Sequence, residues 1–251
     1  MISLIRLEKA ARDNGFDVDG VRIDDWRVFS SSQVELHIWL AATPEDERVA
    51  AFSRWDIFEE LRDHGVPWSR SLPTGVAGAR AVASFEELHQ MLRRAFQLAR
   101  SLPDEPLQIF KQKTAHMPLT TEAERLVVQR VGQDVFRNGL LDYWERRCAL
   151  TGLDEPALLL ASHIKPWADC IHDEERLDVH NGLLLAPHID AAFDKGFITF
   201  SPHGELICSS QLSPSARHLL HLDLPLRIDK LTKKHERYLV WHRARVFRGN
   251  A

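Results

Sequence analysis

The chain has 251 residues, 44% hydrophobic and 27% charged, a composition that excludes wholesale disorder and is long enough for one large domain or two small ones. Its longest apolar stretches, 157–161 and 182–187, fall far short of the roughly 18–20 residues of a bilayer-spanning helix, and charge appears by Arg6 with no secretory core, so the reading is a cytoplasmic protein with no membrane partner. The net charge of −4 does not suggest a protein that coats nucleic acid, yet the last 25 residues hold eight basic side chains against two acidic ones, a tail able to follow a phosphate backbone or to form a solvated terminal helix.

In chain order, residues 4–14 have helical spacing and stop at Gly15. Residues 26–29 and 33–40 alternate like strands around Ser30-Ser31-Ser32. Residues 50–64 read as a helix ending at Gly65, followed by a Pro- and Gly-bearing loop. Ser84, with Glu87 three residues on, opens a helix to about Arg100. A domain boundary is expected between about Leu102 and Thr120, near His116. Thr121 and Glu124 form the next capping signal, and Val127, Val131 and Val135 continue in helical register. The resulting layout is α+β throughout, with an N-terminal α+β domain over 1–115 and a second domain over 116–251 that ends in a basic helix.

The stretch 148–200 carries the chemistry. Residues 158–162 form a short apolar strand that delivers His163, and Lys165-Pro166-Trp167 stops it. An irregular acidic loop follows, and then Asn181-Gly182 leads into the apolar run Leu183-Leu184-Leu185. Pro187 is placed to open a helix bearing Asp190 and Asp194 on one face, and Gly196 ends it. A hairpin over 197–208 turns at Ser201-Pro202-His203-Gly204. Two carboxylates at i and i+4 can hold a hard divalent cation such as Mg2+, and a neutral histidine across a cleft can take a proton from an attacking water; together they suffice for phosphodiester hydrolysis. Singly, each residue has a blander reading as a core histidine or a solvated helix face.

The blocks Arg130-Val-Gly-Gln-Asp-Val-Phe-Arg137, Arg147-Cys-Ala-Leu-Thr-Gly152, Ala161-Ser-His-Ile-Lys-Pro-Trp167, Asn181-Gly-Leu-Leu-Leu185 and Asp190-Ala-Ala-Phe-Asp-Lys-Gly196 together resemble the HNH endonuclease family, in its restriction-type branch, over about residues 120–210. The resemblance implies a ββα-metal fold in which His163 is the general base and Asn181 holds the loop that positions it. It places the metal ligands nine and thirteen residues after that asparagine, on Asp190 and Asp194. An aspartate at the first of these positions favours Mg2+ or Mn2+ over zinc. Relatives often carry a ligand just before the base, where this chain has Ser162, so the ion is expected to rest on the two aspartates, water and phosphate. His188 ranks below Asp190 by spacing and helical phase. Three cysteines, Cys148, Cys170 and Cys208, form no CxxC pair, and of the family's first zinc knuckle only Cys148 remains, so structural zinc is not expected.

Arg137, Arg146, Arg147 and Lys165 are the candidate phosphate contacts. Residues 1–115 lie outside the resemblance and carry net charge −3, from 15 basic and 18 acidic side chains. By architecture they are expected to select the target or sense its modification, and Trp26, Trp39, Trp55 and Trp68 read as core before they read as a pocket for an extruded base. The function implied is a metal-dependent endonuclease acting on double-stranded DNA in restriction. Its rivals are a non-catalytic DNA-binding or sensor protein with a decayed nuclease domain, and a nuclease acting on RNA or single strands. Cutting both strands with one centre per chain commonly takes two copies, which makes a homodimer the expected assembly.

Overall fold

The computed structural model describes residues 2–43, 47–103, 105–118 and 120–249. The chain divides into two compact units, residues 1–100 and 101–251.

The first unit opens with α1 (Ile2–Asp13) and is built on a six-stranded antiparallel sheet. Its strands are β1 (Val18–Ile23), β2 (Trp26–Ser30), β3 (His37–Ala42), β4 (Arg48–Phe52), β5 (Val66–Pro67) and β6 (Gly78–Val82), in the spatial order β1-β2-β3-β4-β6-β5. Between strands lies α2 (Trp55–Glu60), and α3 (Phe85–Ser101) closes the unit from its Ser84 cap, whose hydroxyl accepts the Glu87 N–H. Residues 48–52 correct the helix expected over 50–64. They form a fully buried strand between β3 and β6, and only Trp55–Glu60 is helical. The small and β-branched side chains Val49, Ala50 and Ala51 satisfy either period, and the ladders on both edges decide for the strand. Likewise β3 begins at His37 rather than at residue 33, because residues 32–35 form a bend. Trp39, Val49, Ala51, Ala79 and Ala81 form a buried cluster on one sheet face, packed by Trp26, Val28 and Trp68, so three of the four tryptophans weighed as pocket residues pack together. Trp55 is exposed.

The second unit begins with α4 (Glu105–Thr114), which lies against the long helix α5 (Glu122–Tyr143). The Thr121–Glu124 capping box starts α5 as its sequence predicts. Next come β7 (Leu160–His163), a short helix α6 (Asp173–Arg176), β8 (Gly182–Leu185) and α7 (Pro187–Asp194). The hairpin of β9 (Ile198–Phe200) and β10 (Leu206–Cys208), then α8 (Pro214–Leu219) and α9 (Lys233–Arg245), complete the unit. Its core gathers Phe136 and Leu140 of α5, all three leucines of β8, Ile189 and Phe193 of α7, and Leu239 of α9, each at most 1% exposed.

Two glycines set the close approaches on which the site depends. A Cβ at Gly182 would stand 2.4 Å from the Phe136 ring, so β8 lies this near α5 only with glycine there. Gly196 has φ +72°, in the left-handed region that ends a helix, and its carbonyl accepts the Arg248 N–H at 2.8 Å. Among the described residues no helix is long and apolar enough to cross a membrane.

Candidate active site

Strands β7 and β8 pair antiparallel with His163 opposite Gly182 and Ser162 opposite Leu183. Pro187 occupies the first turn of α7, where its missing N–H costs nothing and its fixed φ starts the helix directly after β8. Strand, loop, strand and helix thus follow as the residue pattern predicts. They frame a cavity of about 480 Å3 whose walls include Ser162, His163, Trp167, Asp190, Asp194 and Lys195.

Asn181 is fully buried at the end of a tight 3-10 turn. Its side-chain oxygen accepts the Lys165 N–H at 2.8 Å, while its Nδ2 donates to the Lys165 carbonyl at 3.2 Å and the Glu175 carbonyl at 3.0 Å. One amide therefore closes the loop after β7 from both ends. The backbone adds a bond from Ile164 N–H to the Asn181 carbonyl at 2.9 Å.

This closed loop presents the Arg176 carbonyl to His163, whose Nε2 lies 2.9 Å from it. A carbonyl only accepts, so Nε2 carries the proton and the neutral ring keeps its lone pair on Nδ1. The ring stacks on Phe136 at 3.8 Å between centroids and 16° between planes, and meets Trp167 edge-on at 5.7 Å. Burial among these rings holds the imidazole pKa down to about 4, against the upward pull of the Arg176 carbonyl. His163 is thus a neutral base of fixed tautomer and orientation at neutral pH.

Across the cavity stand Asp190, half-buried, and Asp194, the more exposed of the two. Partial burial pushes both carboxyls above their usual range, and for Asp190 the charge of Asp194 adds to it. The buried Ser162 hydroxyl donates to Asp194 at 3.2 Å and draws both carboxyls partly back down. Among the described residues neither carboxylate has an ion-pair partner. None of the described His, Cys, Asp and Glu side chains forms a metal-holding group of three or more. The donors present are two carboxylates and a hydroxyl, all hard oxygens, in a repulsive arrangement that a divalent cation relieves and that leaves coordination positions for water and phosphate.

The four basic side chains expected at phosphate lie outside the lining of this cavity. Arg137 donates to the carbonyls of Leu159 at 2.6 Å and Pro156 at 2.9 Å, pinning the entry to β7. Lys165 pairs with Glu175 at 2.8 Å, and exposed Arg147 reaches Asp154 at 3.4 Å. Exposed Arg146 occupies a left-handed turn with φ 59°. None of the four lines the cavity, and neither does His188, which is exposed on α7. The lysine that does line it is Lys195, directly after Asp194. The sequence reading passed over it, although its place at the C-cap of the carboxylate-bearing helix was a usable signal. Phe136 and the Arg176 carbonyl were also missed, since stacking and backbone acceptance leave no residue-type signature. Cys148 is buried, and its Sγ accepts the N–H groups of Thr151 at 3.4 Å and Ala186 at 3.3 Å, tying the turn before β7 to the start of α7.

The second unit therefore holds a ββα centre in which a histidine base and two helix carboxylates share one cavity. Residues 148–201, which span that centre, match a family model described as HNH endonuclease, so this segment is an HNH domain and points to nuclease activity on a nucleic-acid substrate. No curated protein matches the chain.

Proposed function

We propose that the protein is a metal-dependent endonuclease that hydrolyses phosphodiester bonds of double-stranded DNA in restriction, with the N-terminal region selecting the target or its modification. The observation that carries the reading is that His163, a neutral imidazole with its lone pair on Nδ1, lines one cavity with Asp190 and Asp194. His163 Nδ1 takes a proton from a water as the water oxygen bonds to phosphorus, and the bond from phosphorus to the leaving oxygen breaks. Asn181 keeps the loop closed and with it the Arg176 carbonyl that aims His163. HNH nucleases are generally divalent-metal dependent; Mg2+ or Mn2+ held by Asp190 and Asp194 would neutralise charge on the phosphate and the leaving oxygen.

Supercoiled plasmid, unmodified or from a modification-proficient host, tests this with Mg2+, Mn2+ or EDTA. Metal-dependent nicking and linearisation is expected, and restriction to one plasmid type would support the role given to the N-terminal region. No cutting under either metal, with DNA still retained in a gel shift, would favour the non-catalytic reading instead.

Lys195 is the cavity's own candidate for the phosphate. Lys195→Ala should weaken DNA binding and lower the slope of log affinity against log salt by about 1. Arg137→Ala, which removes a backbone anchor, should act on stability and leave that slope in place. The opposite pattern would return Arg137 to the contact list.

Acid pH separates activity from stability. With His163 neutral down to about pH 4, the histidine-dependent loss of rate should come well below the 6.5 of a free imidazole. Stability falls in the same direction but from a higher pH. His242, stacked on Phe193 at 3.9 Å, is also held at about 4 by burial, and burial pushes His235 well down. A histidine whose folded pKa is depressed contributes stability above its unfolded pKa and loses it as pH falls toward the folded one. His163 and His242 should each cost about 2 kcal/mol by pH 5, read as a falling Tm between pH 6.5 and 4. A Tm flat to pH 5 would show that these rings are not held neutral.

A further inference from the structure

The segment 176–181 carries both contacts that set the base, the Arg176 carbonyl on His163 and the Asn181 amide across the loop. Those contacts close the loop on itself. Asp178, midway between them and 4% exposed, ties the segment by hydrogen bonds to α9 as well. One of its carboxylate oxygens accepts the His180 backbone N–H at 2.9 Å and the His180 Nδ1–H at 2.8 Å, capping the turn that ends at Asn181. The other accepts the Tyr238 hydroxyl at 2.9 Å and the Arg237 guanidinium, both from α9. Arg237 also lies over the Tyr238 ring at 4.5 Å. Behind the carboxylate, His180 meets the buried His235 of α9 at 5.0 Å between ring centroids. Although burial opposes it, the bonds from His180 and Tyr238 hold the Asp178 carboxyl down at about 2, so it is ionised throughout the working pH range.

The same helix reaches the cavity, because His242 and Val246, the residue that follows the helix, line it. His242 bridges the two neighbouring elements, with Nε2 3.2 Å from the Phe193 carbonyl of α7 and Nδ1 3.1 Å from the Thr199 hydroxyl of β9. Helix α9 thus contacts the carboxylate-bearing helix through His242 and the loop that aims the base through Arg237 and Tyr238.

We propose that Asp178 is a positioning residue for His163: clamped to Arg237 and Tyr238, it registers the Arg176–Asn181 segment against α9 and so fixes the tautomer and aim of the base relative to Asp190 and Asp194. The kinetic part of this inference rests on the nuclease reading above; the structural part does not. Four charge-assisted or hydroxyl donors on one buried carboxylate make the clamp stiff, and a displacement of about 1 Å at a reacting group is enough to cost roughly 100-fold in rate.

The test compares wild type, Asp178→Asn and Tyr238→Phe in the full chain. Tyr238→Phe removes one hydroxyl and leaves Asp178 its other three donors, so it keeps the question answerable where Asp178→Asn fails to fold. Three readouts are taken on folded protein: kcat and KM on plasmid, the Mg2+-induced rise in Tm, and the His163 ring-nitrogen NMR signals. Expected for Asp178→Asn is a fall in kcat of roughly 10- to 100-fold with KM and the Mg2+ response kept, and a smaller fall for Tyr238→Phe. The His163 signals should shift from a pure Nε2–H form to a mixture. Folded variants with unchanged His163 signals and unchanged kcat would overturn the proposal and leave Asp178 as a stability element only. If the wild type cuts nothing, the nuclease reading falls, and the NMR comparison alone still decides whether Asp178 sets His163.

Discussion

Replacing His163 with alanine is expected to slow plasmid cleavage by about 10²–10⁴-fold while DNA binding and the Mg2+-induced rise in Tm persist. The loss is this large because no neighbouring group can substitute for Nδ1. Asp190 and Asp194 stand across the cavity, and His242 has both ring nitrogens engaged, with Phe193 and Thr199. His163 also packs on Phe136, so the alanine variant leaves a gap there and should melt earlier. For that reason rates are compared below the variant's own Tm, and retention of the Mg2+ response shows that the carboxylate pair is intact. Wild-type cleavage by folded His163→Ala would remove the histidine from the reaction and with it the proposed mechanism.

Asp190→Asn and Asp194→Asn should separate metal from fold in the opposite direction. Both carboxyls are raised above their ordinary range by partial burial. A carboxyl with a raised folded pKa contributes stability that is present below its unfolded pKa and lost as pH rises through the folded one. At neutral pH without a divalent ion the wild-type pair is therefore a liability, and either asparagine should leave Tm in EDTA unchanged or higher. Adding Mg2+ should raise the wild-type Tm, because an ion bound only by the folded state stabilises it, and should raise the variants little. Cleavage by the variants should require far more metal or vanish. A wild-type Mg2+ response in either variant would take that residue out of the ligand set, and a large loss of Tm in EDTA would show that the carboxylate supports the fold instead.

The N-terminal unit shows where sequence reading stops. Residues 84–101 are legible because the capping residues Ser84 and Glu87 and the apolar period all act within one helix. Residues 48–52 are not, because their strand exists through partners at 38–42 and 78–82 that a local window does not contain. The same divide runs through the site. The order strand, loop, strand, helix was legible around His163, Asn181, Asp190 and Asp194, since Pro187, Gly196 and the apolar runs are local signals. Lys165 and Arg137 drew attention as cations near the motif, yet each is committed to a partner 10 or more residues away, Glu175 for the lysine and the carbonyls of Pro156 and Leu159 for the arginine.

By itself, then, the sequence determined the α+β class, the ββα order and the residue types at its centre, because periodicity, caps and turn residues act over a few positions. The tertiary structure alone decided which nitrogen of His163 carries the proton, which cation lines the cavity and what holds the loop to α9. Those properties depend on a backbone carbonyl at Arg176, a ring at Phe136 and a carboxylate at Asp178 that meet only when the chain has folded, and their strength comes from burial, which no local pattern encodes.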